Sequence, residues 1–183
     1  MAETTNAKYT IRYASKDNIP TILALIYELA EYEKAADQVQ ATPELLASTL
    51  SFPTSNPTQP FTPSYTHTLL ISAPDNRAIA GFALFFTNYS TWRAAPGIYP
   101  EDLFVRPAFR KRGYGKALLA ALGRECVRIG GGRVEWSVLK WNEPSLQFYQ
   151  SEAIGATRME EWVGMRVEGD EGIKKLAAAA DDV

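Results

Sequence analysis

The stretch from Asp102 to Leu122, DLFVRPAFRKRGYGKALLAAL, carries the decision about the fold. Its start belongs to an apolar strand expected over Ile98 to Val105, which Pro107 ends. A basic turn follows, Arg110-Lys111-Arg112-Gly113-Tyr114-Gly115, and runs directly into a helix expected from about Arg112. The helix stripe is Leu118, Leu119, Leu122, Cys126 and Ile129, and Gly130-Gly131-Gly132 stops it. The first N–H groups of a helix lack internal partners, and its dipole favours negative charge there. Gly113 and Gly115 let a phosphate approach the backbone, while Arg110, Lys111, Arg112 and Lys116 add charge. The stretch therefore reads as an anion site.

Two familiar phosphate motifs do not fit. A Walker loop needs glycine where Arg110 stands and Ser or Thr where Ala117 stands. A dinucleotide fingerprint needs glycine at position 118, which is leucine. Taken alone, the turn also fits a helix start that happens to carry solvated basic residues.

Outward from this stretch, the pattern alternates strands and helices. Lys8 to Ala14 places Tyr9, Ile11 and Tyr13 on one face of a first strand. Ser15 or Asp17 caps a helix with Ile22, Leu23, Leu25, Ile26 and Leu29 at helical spacing, and Pro43 opens a second short helix. Residues 52–65 hold four prolines among Ser and Thr and read as a surface loop. Strands follow over His67 to Ser72 and Ala78 to Tyr89, joined by a Pro74-Asp75-Asn76 turn. Val134, Trp136 and Val138 alternate on another strand, Pro144 opens a helix over Ser145 to Ser151, and a last strand is expected over Glu161 to Val167. A single domain spans 1–183, with a core of about 8–168 and a helical tail over 170–183.

Composition narrows the setting. The 183 residues are 46% hydrophobic and 22% charged, which suits one ordinary globular domain. Met1 to Thr10 is polar, and no apolar run approaches the roughly 18 residues of a membrane span, so neither a secretory signal nor a membrane partner is expected. A single cysteine and a single histidine, Cys126 and His67, make neither an internal disulfide nor a structural zinc site, and no metal is expected. These features fit a cytoplasmic protein. The net charge of -2 gives no footprint for nucleic acid. Cys126 falls on an apolar helix position and reads as core, and His67 carries no catalytic expectation.

Arg110-x-x-Gly113-x-Gly115, after a strand and before a helix, resembles the Arg/Gln-x-x-Gly-x-Gly/Ala signature of the GNAT acyl-CoA transferases. Trp141-Asn142-Glu143-Pro144-Ser145 with Phe148-Tyr149 is similar to the spermidine/spermine (diamine) and thialysine acetyltransferase branch. So are Glu28-Leu29-Ala30-x-Tyr32-Glu33 and Tyr99-x-Glu101-Asp102-x-x-Val105. The resemblance implies an α/β GNAT fold, with a mixed, mostly antiparallel sheet splayed between its fourth and fifth strands and flanked by helices. It implies acetyl-CoA as co-substrate, held by the backbone of Leu103, Phe104 and Val105, by the 110–116 turn, and by Asn142 and Ser145. A homodimer is implied as well.

By the same resemblance the reaction is direct acetyl transfer to a small primary amine. An alkyl ammonium of pKa about 10.4 is almost wholly protonated at neutral pH, so a carboxylate must take its proton. Glu101 is the candidate base, with Asp102 supporting it or contacting the amine. Tyr149 is the candidate acid for the leaving thiolate, and a backbone N–H near Phe104 the oxyanion donor. Tyr32, Glu33, Trp92 and Glu161 complete the candidate acceptor site. Here the chain departs from the polyamine pattern. No acid stands two residues before Trp92, and Glu160-Glu161-Trp162 lacks a glycine found in relatives. The acceptor is accordingly a thialysine-like or lysine-like amino acid, or a polyamine. A non-catalytic acyl-CoA-binding module and a protein-lysine acetyltransferase are the competing functions.

Overall fold

The computed structural model describes residues 3–74 and 78–179. Among them six strands form one sheet: β1 (Thr4–Asn6), β2 (Tyr9–Tyr13), β3 (Leu50–Ser51), β4 (Thr66–Ser72), β5 (Ile79–Ser90) and β6 (Ala95–Val105). The order is β1-β2-β4-β5-β6, all antiparallel, with β3 parallel beside the start of β4. The helices are α1 (Ile19–Tyr32), α2 (Pro43–Thr49), α3 (Tyr114–Arg128), α4 (Glu143–Gln150) and α5 (Asp170–Ala178). No helix of the described residues is long and apolar enough to cross a membrane. Most of the expected turn between β4 and β5 lies outside the described residues, as do residues 180–183 of the tail.

Side-chain alternation sorts the core into two layers. Ile11, Tyr13, Leu69, Ile71, Ala83 and Phe85 face α3, meeting Leu118, Leu122 and Cys126. Leu70, Phe82, Leu84 and Phe104 face α1 and α2, meeting Ile22, Leu25 and Leu46. Cys126 is thus core, its thiol donating to the Arg133 carbonyl at 3.2 Å. His67 sits among the rings of Phe61 (4.7 Å), Phe85 (5.5 Å) and Tyr13 (6.0 Å), and burial lowers its pKa. The proline-rich loop is long because its flanking strands are parallel, and parallel partners need a crossover of about a dozen residues or more. It is pinned at both ends: Phe52 lies in the α1 layer and Phe61 packs on the α3 layer.

One irregularity positions the site. On β6, Phe85 pairs with Pro100 and Leu84 with Asp102, so Glu101 is the extra residue of a β-bulge. The bulge inverts the alternation. Ile98 before it belongs to the α3 layer, yet Phe104, also even-numbered, belongs to the α1 layer. Asp102 therefore points to the α1 side, opposite Leu84.

Two expected strands take other forms. Residues 134–138 make a single parallel bridge, Ile98 with Val134, flanked by hydrogen bonds from Ile98 N to Arg133 O (3.0 Å) and Glu135 N to Ile98 O (3.1 Å). Past this bridge the backbone pairing stops and no ladder extends to Val138, although the Tyr99 and Ser137 hydroxyls still meet at 2.9 Å. Glu161 to Val167 forms no strand. Val163, Met165 and Val167 keep the alternating pattern but are exposed, and no described strand supplies the hydrogen-bonding edge that such a pattern needs. β6 also starts earlier than expected, at Ala95, and Pro96 and Gly97 lie inside a long hairpin. By compactness the chain divides into two units, residues 1–142 and 143–183.

Gly81 of β5 is required by close approach rather than by its dihedrals, because a Cβ there would stand 2.3 Å from the Phe104 carbonyl oxygen. Gly81→Ala should destabilise the fold by about 1–3 kcal/mol, the usual cost of overpacking. A urea midpoint within error of the wild type would show that β6 yields there.

Candidate active site

Pro107 begins a short 3₁₀ turn (Pro107–Phe109), and the chain then passes through left-handed Lys111 (φ 62°) and Gly113 (φ 81°) into α3. Gly113 is the N-cap, without a side chain to satisfy the helix amides. The first helical bond is Ala117 N to Gly113 O at 2.9 Å, so the amides before it have no carbonyl one turn back. A Cβ at Gly113 would meet nothing within 4 Å, so the N-cap itself borders open space. Arg110, Lys111, Arg112 and Lys116 are exposed around it. Open, cationic and lined by helix-end N–H groups, the turn fits the pyrophosphate of CoA.

β6 supplies the second part. Arg106 N donates to Ala80 O on β5, whereas the Val105 carbonyl accepts from Arg110 Nε at 2.9 Å. Polar backbone groups alternate edges along such a strand, so Leu103 and Val105 turn theirs away from β5. On that side the described residues place no strand past Ile98. Phe104 itself pairs with Phe82 of β5 and packs its ring inward.

The end of α1 closes over this edge. Arg106 grips Glu28 with two nitrogens (2.6–3.0 Å) and the Ile79 carbonyl with a third (2.8 Å). One turn later Tyr32 lies under the Arg110 guanidinium, 4.9 Å from its ring centroid, and its hydroxyl donates to Asn142 Oδ1 at 3.1 Å. Asn142 is buried. Three expected residues, Arg110, Tyr32 and Asn142, thus meet. The Arg106–Glu28 clamp was not foreseen, although an acid inside the stripe Leu25, Leu29, Tyr32 is a signal that would have found it.

Three carboxylates gather on the α1 side. Burial, then Glu101, then Glu33 pushes the Asp102 carboxyl up from 3.8 to about 7. Burial also raises Glu33. Glu101, on the bulge, is exposed. A half-buried acid that exchanges its proton near neutrality beside two further acids is suited to binding and deprotonating an ammonium group.

Trp92 stands apart. It occupies the β5–β6 hairpin tip, 93% exposed, with roughly 20 Å of strand between Ala95 and Glu101 at the usual rise per residue. The structure does not bring it to the acids. Ser145, Tyr149 and Glu161 belong to the second unit. There Ser145 and Tyr149 lie on α4, with Phe148 and Tyr149 in ring contact at 5.3 Å, and Glu161 is exposed beyond it. Among the described residues no cluster of His, Cys, Asp or Glu is placed to hold a metal ion.

Comparison with known proteins identifies the family. The model of the acetyltransferase (GNAT) family matches residues 33–154. The chain is 35% identical to an L-ornithine N5-acetyltransferase of Arabidopsis thaliana, covering 91% of this chain and 88% of that protein. It is also 35% identical to a thialysine N-epsilon-acetyltransferase of Bos taurus, covering 91% and 96%. Among solved structures, an integron cassette protein from the mobile metagenome of V. cholerae superposes with a TM-score of 0.71 at 23% identity, over 94% of this chain and 99% of that one. That last likeness is one of fold.

The folded pKa of Asp102 lies above its unfolded value, so the folded state binds the extra proton and stability falls as pH rises from about 4 to 7. Asp102→Asn should therefore raise the thermal midpoint more at pH 8 than at pH 4. Equal shifts at the two pH values would show that Asp102 is not held protonated.

Proposed function

Because the chain belongs to the GNAT acetyltransferase family, we propose that it transfers the acetyl group of acetyl-CoA directly to a small primary amine. The observation that carries this reading is the acid cluster Glu33, Glu101 and Asp102 beside the open edge of β6 and the phosphate turn. The relatives named for ornithine and thialysine support an acceptor that is a short amino acid with a side-chain amine, with polyamines as the other candidates. Both units belong to one catalytic domain in this reading, since the family match runs across their boundary. Assembly as a homodimer and a cytoplasmic setting complete it, on the branch resemblance and the cysteine usage.

The bound co-substrate supplies an activated acetyl thioester. The amides of the 110–116 turn and its cationic side chains hold the phosphates, and the outward backbone groups of Leu103 and Val105 hold the arm. Asn142 and Ser145 take the CoA contacts that the branch resemblance gives them. An outward N–H of this strand serves as oxyanion donor. The acceptor enters as an ammonium and loses its proton to the Glu101–Asp102 pair. The two carboxyls are adjacent and coupled, so they act as a unit, and the half-buried Asp102 is the member that titrates near neutrality. Glu33 balances the acceptor charge. Tyr149 protonates the leaving sulfur, a role resting on its place in the family motif, and a phenol of pKa about 10 keeps the needed proton at neutral pH.

Incubation with acetyl-CoA and a panel of lysine, ornithine, thialysine, diamines and polyamines should release CoA thiol and a product heavier by one acetyl group. No turnover of any of them would defeat the proposal. Asp102→Asn, Glu101→Gln and Tyr149→Phe should each lower kcat by roughly 10²–10⁴-fold. The wild-type kcat/KM should rise with pH through an inflection near 7, and Asp102→Asn should remove that inflection. An inflection that survives assigns it elsewhere.

A further inference from the structure

Next in the chain to Glu33 stands a cation that the transfer chemistry does not use. Lys34 directly follows Glu33 at the end of α1, in the left-handed region at φ 61°. That backbone is strained for a side chain bearing a Cβ, and such strain concentrates at ligand sites. Its amide donates to Glu31 O at 3.1 Å, which ends the helix. Its ammonium rests on the face of Trp141, 5.6 Å from the ring centroid, rather than on Glu33 or another nearby acid. Trp141 is itself half exposed and 6.1 Å from Tyr32. Tyr32 in turn binds Asn142 and lies under Arg110, so Lys34 is held at the rim of the groups assembled above.

A strongly hydrated ammonium held on Trp141, one residue after Glu33, sorts acceptors by charge. It repels the far end of a diamine or polyamine, and it attracts an acceptor with an anionic group a short chain away from its amine. Resting on an aromatic face, Lys34 keeps its three donors for such a group. We propose that Lys34 is a specificity-determining residue that binds the α-carboxylate of the acceptor, so that the enzyme selects amino acids over the corresponding diamines. This rests on the acetyl-transfer reading and adds the residue that discriminates within it. The carboxylate of a free amino acid and the C-terminal carboxylate of a peptide share this chemistry.

The experiment compares L-lysine, L-lysinamide, 1,5-diaminopentane and a dipeptide with C-terminal lysine, using the full chain and acetyl-CoA. Wild-type kcat/KM should favour lysine over lysinamide and the diamine. In Lys34→Met, the lysine-to-lysinamide ratio should fall about 10–100-fold, mainly through KM for lysine, the scale of a lost charge-assisted hydrogen bond. Lys34→Arg should restore most of the ratio. Discrimination in favour of lysine that is unchanged in Lys34→Met, or absent from the wild type, overturns the proposal. Preference for the dipeptide over free lysine keeps the carboxylate anchor and reassigns its source to peptide ends. No turnover of these four or of any amine in the wider panel overturns the acetyl-transfer reading itself, whereas turnover of the diamine without discrimination overturns only the role of Lys34.

Discussion

A single inserted residue in β6 governs this molecule. Without the bulge at Glu101, Asp102 would share the face of Ile98 and point into the α3 layer, where a carboxylate would sit among Leu118, Leu122 and their neighbours. With it, Asp102 turns toward the end of α1 and comes under the influence of Glu33, while Phe104 swings into the opposite core layer and anchors the strand there. The extra residue itself remains exposed and carries the second carboxyl of the pair. One local irregularity thus fixes which acid is buried, which is solvated and which layer each neighbouring apolar side chain fills.

The rest of the site is arranged by α1. Its buried face is held by Ile22 and Leu25, and its far end is tied by the forked Arg106–Glu28 pair and by Tyr32 under Arg110. A bidentate guanidinium–carboxylate pair fixes direction as well as distance. The helix can then deliver Tyr32, Glu33 and Lys34 in sequence, each to a different job. Tyr32 faces the phosphate turn, Glu33 the acids of β6, and Lys34 the ring of Trp141. Burying acids next to one another costs stability, and the clamp is a means by which the fold tolerates it.

Much of this was legible in the sequence. Apolar periodicity located α1, α2, α3 and the strands of the hairpin sheet, because those elements bury one face and their pattern records it. The basic glycine turn was legible because its chemistry is local. The bulge was not, since alternation through Tyr99 to Phe104 gives no mark of an inserted residue, and so the burial of Asp102 relative to Glu101 was hidden. The stretch from Val134 to Val138 misled for a related reason. It has the composition of a strand, but a strand needs backbone groups that meet a neighbour's, and here those bonds stop at Ile98 while Tyr99 and Ser137 meet only through their hydroxyls. Trp92 shows the same limit from the other side, as a motif residue whose hairpin carries it to a solvent-exposed tip.

The contact between Arg110 Nε and the Val105 carbonyl has a meaning for the chain before any co-substrate arrives. An unpaired strand edge is a template on which another chain can zip, and newly made molecules meet at high local concentration. Among the described residues β6 has such an edge beyond its bridge at Ile98. The arginine occupies one of its acceptors, the bulge bends the strand, and the surrounding positive charge keeps identical edges apart. The basic turn is in this sense also a guard against edge-to-edge pairing of one β6 with another.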